Sequence, residues 1–269
     1  MFFGMVEPME KFRGVDYYGL EGLLSEEERM IRDALRDWVE AEFVPIVAEH
    51  HRAETFPVTL IPKLGELGVF GATLKGYGCA GLNNVAYGLI MQELERGDSG
   101  LRSAASVQSG SDAQKDQWLP PMQRGEKVGC FGLTEPDHGS DPGGMKTRAT
   151  RKGDRYVLNG TKLWITNGSI ADVAVVWAKE DDGEIYGYLV ERGTPGFSTL
   201  DIHGKFSMRA SITSELAFQD CAIPLANKFP KVKGLRGPLG CLNQARYGIA
   251  WGAIGAAMGC YDWALQYAQ

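Results

Sequence analysis

Residues 129–168, GCFGLTEPDHGSDPGGMKTRATRKGDRYVLNGTKLWITNG, decide how this chain is read. They open on a short apolar strand, Gly129 to Leu133, and pass into a polar loop rich in Gly, Asp and Ser. Two β-like runs follow, Arg155–Leu158 and Thr161–Thr166. The Asn159-Gly160 between them predicts a tight hairpin turn, because Asn and Gly accept the φ > 0 its central positions need. The stretch presents Thr134, Ser140, Trp164 and Thr166 beside several glycines. Hydroxyls, free backbone N–H groups and one broad aromatic face suit a flat heteroaromatic ligand with a phosphate tail. A surface hairpin with a long decorated turn fits the same spacing.

Working outward, the β character continues. Candidate strands are Val128–Leu133, Val173–Ala178, Ile185–Glu191 and Ser214–Phe218, separated by Gly/Asp/Pro turns. Short strands at this spacing predict a small β-barrel or sandwich. Arg209 reads as a surface charge or as a phosphate ligand.

The first third is helical. Ser25 with Glu28 predicts a capping box, and Ile31, Leu35, Trp38, Val39 and Phe43 behind it recur at helical spacing. Pro45 is expected to kink or end that helix. Further helices are expected over Leu60–Leu67 and Asn84–Gly97, with Lys75–Gly81 as a loop and Glu93, Glu95 and Arg96 on a solvated face. Arg102 lies among small residues. It reads either as a surface charge or as a bidentate carboxylate ligand in a pocket. The last segment turns helical again. Its Gly248, Gly252, Gly255 and Gly259 leave one helical face bare for close packing, on a partner the sequence does not identify.

The fold class read from the residues is α+β: helices, then a small β-barrel or sandwich, then a buried helix of a bundle. A free-standing β-sandwich with helical arms is the alternative. The 269 residues are 44% hydrophobic and 23% charged, which is ordinary globular composition. A net charge of −6 argues against nucleic acid as the main partner. Five scattered cysteines without a CxxC pair read as a reducing compartment with no disulfide or zinc framework. No run reaches the ~18 apolar residues of a membrane span, and the N-terminus shows no targeting pattern. A cytoplasmic protein is expected, or a mitochondrial matrix one if the source is eukaryotic.

Several segments together resemble the acyl-CoA dehydrogenase family, most closely its glutaryl-CoA-oxidising branch. They are KGYGCAG (75–81), DSGLRSAASVQ (98–108), GCFGLTEPDHGSD (129–141), LNGTKLWITNG (158–168), KFSMRA (205–210) and GCLNQARYGIAWG (240–252). TEPxxGSD followed by NGxKxWITN is highly specific to the family. The resemblance implies an N-terminal helical domain over 1–126, a middle β-domain over 127–232, and the start of a C-terminal helical bundle at 233–269. It also implies FAD, an acyl-CoA substrate, an electron-transferring flavoprotein as acceptor and a homotetramer. It implies that Phe131, Leu133, Thr134, Gly139, Ser140, Trp164, Ile165 and Thr166 contact the cofactor. Thr134 and Thr166 would donate near the reactive edge of the ring, Trp164 would cover its dimethylbenzene end, and Ser140 would bind pyrophosphate. Arg102, Ser103, Ser106, Ser140, Asn243 and Arg246 would contact substrate, with Arg102 pairing a distal carboxylate.

The chain also departs from the family pattern. The general base there is a Glu late in the C-terminal domain, or the residue before the helix arginine. Here nothing after Glu215 is Glu, and Ala245 precedes Arg246. The family also carries an apolar helical piece after its SVQ that is missing here. A polypeptide continuing past Gln269 is expected; an intact mass near 29.4 kDa would contradict this. A non-catalytic flavin- or CoA-binding scaffold is the competing class.

Overall fold

The computed structural model describes residues 16–103 and 112–268. The expectations for Ser106 and for the shortened segment after the SVQ fall outside these residues.

Helix α1 (Glu26–Trp38) starts at the expected capping box: Glu28 N–H donates to Ser25 Oγ at 3.2 Å, and Ser25 N–H to the Glu28 carboxylate at 2.8 Å. Pro45 does not break the helical path. A π-helical turn, Val39–Phe43, leads into α2 (Val44–Ala53) and places the proline in its first turn, where a missing N–H is tolerated. Helix α3 (Leu60–Glu66) follows. The expected loop at 75–81 contains a two-rung hairpin, β1 (Lys75–Gly76) and β2 (Cys79–Ala80). Helix α4 (Asn84–Gly97) has the expected bounds and is capped by Asn83, whose Oδ1 accepts from Ala86 N–H at 2.9 Å. Helices α5 (Ser99–Ser103) and α6 (Asp112–Gln123) complete this part. Leu35, Val39, Phe43, Leu64, Ile90, Leu94 and Leu101 form its core.

The middle of the chain is a curled seven-stranded mixed sheet made of β3 (Gly129–Gly132), β4 (Arg148–Lys152), β5 (Arg155–Thr166), β6 (Val173–Lys179), β7 (Ile185–Glu191), β8 (Phe197–Asp201) and β9 (Thr213–Pro224). β3 runs parallel to β6, and β4 touches β6 in the same sense; the other pairings are antiparallel. The sheet wraps one core of Cys130, Leu158, Val176, Tyr188, Leu216 and Phe218.

The Asn159-Gly160 hairpin is not there. β5 runs straight through it, with a register shift between Leu158 and Gly160. The Asn159 side chain is spent across the ladder: its Oδ1 accepts from Asp220 N–H at 2.8 Å. The true hairpin lies upstream, where Gly153 (φ 62) and Asp154 join β4 to β5.

Helix α7 (Arg236–Ala268) finds its partner in α4. Gly248, Gly252, Gly255 and Gly259 are all buried. A Cβ on Gly255 would stand 2.0 Å from the Gln92 carbonyl oxygen, and one on Gly248 2.7 Å from the Tyr87 hydroxyl. This packing also overturns the solvated-face expectation for α4. Glu93 is fully buried between Arg36 (2.8 Å) and Arg96 (2.8 Å), because α1 and α7 cover α4 from two sides. Despite its burial, the two arginines hold its carboxyl below the usual range. Arg209 is a clamp rather than a free surface charge: it pairs Glu54 at 2.7 Å and donates to the His51 carbonyl at 3.1 Å.

Candidate functional site

The loop after β3 is held from beneath by one buried ion pair. Glu135 accepts from Lys146 N–H (2.6 Å), Thr147 N–H (2.9 Å) and Lys162 Nζ (2.9 Å). Burial pushes its carboxyl up, but the Lys146 and Thr147 donors and the Lys162 charge bring it down to about 2. Burial pulls Lys162, which is fully enclosed, down to about 8 against the attraction of Glu135. The Lys162 stem passes the bare Gly132, where a Cβ would meet its Cγ at 3.3 Å.

Above this pair the chain builds a wall. Leu163 N–H donates to the Thr134 carbonyl at 2.8 Å, so Thr134 is joined to β5 at the residue before Trp164. Gly139 folds back toward the Thr134 methyl. The β5–β9 ladder breaks register between Lys162 and Ile165. In that bulge Trp164 takes φ 61, a left-handed conformation that costs an ordinary side chain about 1–3 kcal/mol. The residue is 57% exposed. Thr134 and Thr166 are half-buried and Ser140 is exposed. Ile165 is buried in the sheet core, so a ligand on the wall would meet its backbone.

Phe131 and Leu133 face away from that core. They share a cluster with Trp177, Leu235 and Leu242, which brings the start of α7 against the wall. The next residue, Asn243, accepts from Arg246 at 3.2 Å, and both are exposed. Arg102 sits farther along α7, where its Cδ would lie 3.1 Å from a Cβ on Gly252. Its guanidinium pairs the Glu95 carboxylate and reaches Ser103 Oγ at 3.3 Å, while Ser103 Oγ donates to the Ser99 carbonyl at 2.8 Å. The structure thus joins 131–134, 139–140 and 164–166 in one wall with Asn243 near its edge, and places Arg102 and Ser103 in a separate α4–α5–α7 niche.

Sequence reading missed three partners. Lys162 stood in the quoted motif without a role, although a lysine in an inward-facing run is a signal. Glu95 was read as solvent-facing, although the end of α4 at Gly97 and the short α5 that follows fold Arg102 back onto it. The stacked pair Tyr87–Tyr247, with centroids 6.2 Å apart, ties α4 to α7 and left no periodic trace in the sequence.

A half-exposed tryptophan held in a strained bulge beside three hydroxyl residues is chemically suited to a flat heteroaromatic group with a phosphate tail. Comparison with known proteins gives this architecture its class. The sequence profile of the acyl-CoA dehydrogenase N-terminal domain matches residues 25–126, and that of the acyl-CoA dehydrogenase middle domain matches residues 130–221. The chain belongs to the acyl-CoA dehydrogenase family.

Among curated relatives, the mitochondrial short-chain specific acyl-CoA dehydrogenase of Rattus norvegicus is 37% identical over 262 residues, covering 91% of this chain and 64% of that protein. Isovaleryl-CoA dehydrogenase of Pongo abelii is 37% identical over 264 residues, covering 91% and 62%. Among solved structures, a glutaryl-CoA dehydrogenase from Mycobacterium smegmatis in complex with FADH2 is 50% identical with a TM-score of 0.88, covering 90% of this chain and 65% of that one. A second structure of the Mycobacterium smegmatis enzyme is 53% identical with a TM-score of 0.90, covering 93% and 67%. The chain thus spans about two thirds of the length of the relatives it matches. No helix among the described residues is long and apolar enough to cross a membrane.

Proposed function

We propose that this chain forms the FAD-binding and acyl-binding part of an acyl-CoA dehydrogenase acting on glutaryl-CoA. The observation that carries the reading is the Thr134–Trp164–Thr166 wall, with Trp164 exposed in its bulge. When bound, FAD supplies a two-electron acceptor for oxidation of the acyl α–β bond. The chain's own residues bind and orient. Thr134 and Thr166 donate to the ring edge, the Trp164 face covers one end, and Gly139 and Ser140 receive the phosphates. Asn243 and Arg246 contact CoA. The α-proton acceptor is assigned to none of these residues. Decarboxylation to a crotonyl product, transfer of electrons to an electron-transferring flavoprotein, a homotetrameric assembly and the division at 126 and 232 belong to the same reading.

Glutaryl specificity rests on Arg102, whose guanidinium would take the distal carboxylate with help from Ser103 and Ser106. A second reading has its own support: Glu95 already neutralises Arg102, which favours an uncharged short acyl chain. The two separate on Arg102→Ala, assayed with glutaryl-CoA and butyryl-CoA. Loss of one charge-assisted contact, about 1.5–3 kcal/mol, lowers kcat/KM for glutaryl-CoA roughly 10- to 100-fold and spares butyryl-CoA. An unchanged preference for glutaryl-CoA excludes the carboxylate clamp.

A further inference from the structure

The buried ion pair under the wall is joined to Thr134 through a single peptide unit. Lys162 Nζ donates to the Leu133 carbonyl at 3.1 Å as well as to Glu135 at 2.9 Å. The other end of the Leu133 peptide is the Thr134 N–H. In a planar trans peptide the C=O and N–H point in opposite directions. With the Leu133 carbonyl turned toward Lys162, the Thr134 N–H points the opposite way, away from the buried ion pair. Thr134 is pinned from its other side too, since its carbonyl accepts from Leu163 N–H at 2.8 Å.

We propose that Lys162 is a positioning residue that tunes the bound flavin through the Leu133–Thr134 peptide, its ammonium fixing the carbonyl and strengthening the opposing N–H as a donor. Two physical effects act together. A hydrogen bond to a carbonyl polarises the peptide and makes its N–H a better donor, by roughly 10–30% per bond. The ammonium also places a positive charge behind that dipole in a site closed to water, where charges are weakly screened. Both favour a ring that gains negative charge on reduction. Glu135 opposes this in part by compensating the charge of Lys162, while its bonds to Lys146 and Thr147 N–H keep the loop in place.

The inference rests on the flavin reading, and one experiment separates the two. The full-length protein is loaded with FAD, and its two-electron potential is measured at pH 6 by dye equilibration for wild type, Lys162→Met, Glu135→Gln and the double variant. At that pH Lys162 of the wild type, which Glu135 helps to hold at about 8 against the effect of burial, keeps its proton. Lys162→Met is expected to lower the potential by about 30 mV, equivalent to a tenfold change in the reduced-to-oxidised ratio for a two-electron couple. Glu135→Gln is compared with wild type at successively lower pH, because Lys162 without its partner holds its proton less well; where Lys162 is charged, the ammonium is less compensated and the potential is expected to rise. The double variant, which buries no unpaired charge and serves where Lys162→Met does not fold, is expected to follow Lys162→Met. If the pair is only a latch for the loop, both single variants shift the potential in the same direction or not at all, and the inference falls while the flavin reading stands. A wild-type protein that takes up no FAD overturns both.

Discussion

Trp164 combines two properties that rarely coincide: a large aromatic residue left 57% exposed and a backbone in the left-handed region at φ 61. A glycine there would relax the backbone, so Trp164→Gly separates stability from binding. Thermal unfolding of the ligand-free variant is expected to be unchanged or up to about 1 kcal/mol more favourable to the fold. Its FAD affinity, followed by flavin fluorescence, is expected to fall roughly 2- to 10-fold through lost ring contact. Glu135 gives a pH signature at the same scale. Its carboxyl lies at about 2 in the folded protein against an ordinary 4.5. A depressed acid adds stability that is complete above 4.5 and is lost as the pH falls through 2. Denaturant midpoints between those limits should therefore drop more steeply for wild type than for Glu135→Gln. Parallel slopes would show that the Lys146 and Thr147 contacts do not hold the carboxylate.

At the scale of elements, the α4–α7 contact sets the strictest demand on the sequence. Gly255 meets the Gln92 carbonyl at a distance no methyl group can share, whereas a Cβ on Gly240 in the same helix meets nothing within 4 Å. Gly255→Ala is expected to destabilise the protein by about 1–3 kcal/mol through overpacking. Gly240→Ala is expected to stabilise it by about 0.5–1 kcal/mol by removing backbone freedom from the unfolded chain. Chemical denaturation of both variants checks the pair. The bare glycine face was legible in the sequence because its three- and four-residue spacing is local. Its partner was not, because α4 lies about 160 residues upstream and nothing in the spacing of either helix names the other. The Asn159-Gly160 turn failed for a related reason. Its chemistry satisfies a hairpin and a bulge equally, and the choice was made by Asp220 from β9.

Over the whole molecule, α7 joins the two halves of the site. Leu242 in its first turns and Leu235 just before it pack with Phe131 and Leu133 of the wall, and its glycine face sits on α4, with Arg102 beside Gly252. Movement of α7 would therefore change the wall and the Arg102 niche together. The wall could be located from the sequence because TEPxxGSD and NGxKxWITN carry it in two short segments. The niche was half legible: Arg102 stood out among small residues, but Glu95 was hidden in a helix whose charges imitate a solvated face. Lys162 was hidden more deeply, since only the curl of the sheet brings β5 beneath Leu133. The most direct test of the central claim is the visible absorbance spectrum of the full-length protein, purified and then mixed anaerobically with glutaryl-CoA. The expected result is a bound flavin whose absorbance bleaches on addition of glutaryl-CoA; a protein that takes up no flavin, or whose flavin is unmoved by glutaryl-CoA and butyryl-CoA alike, would contradict it.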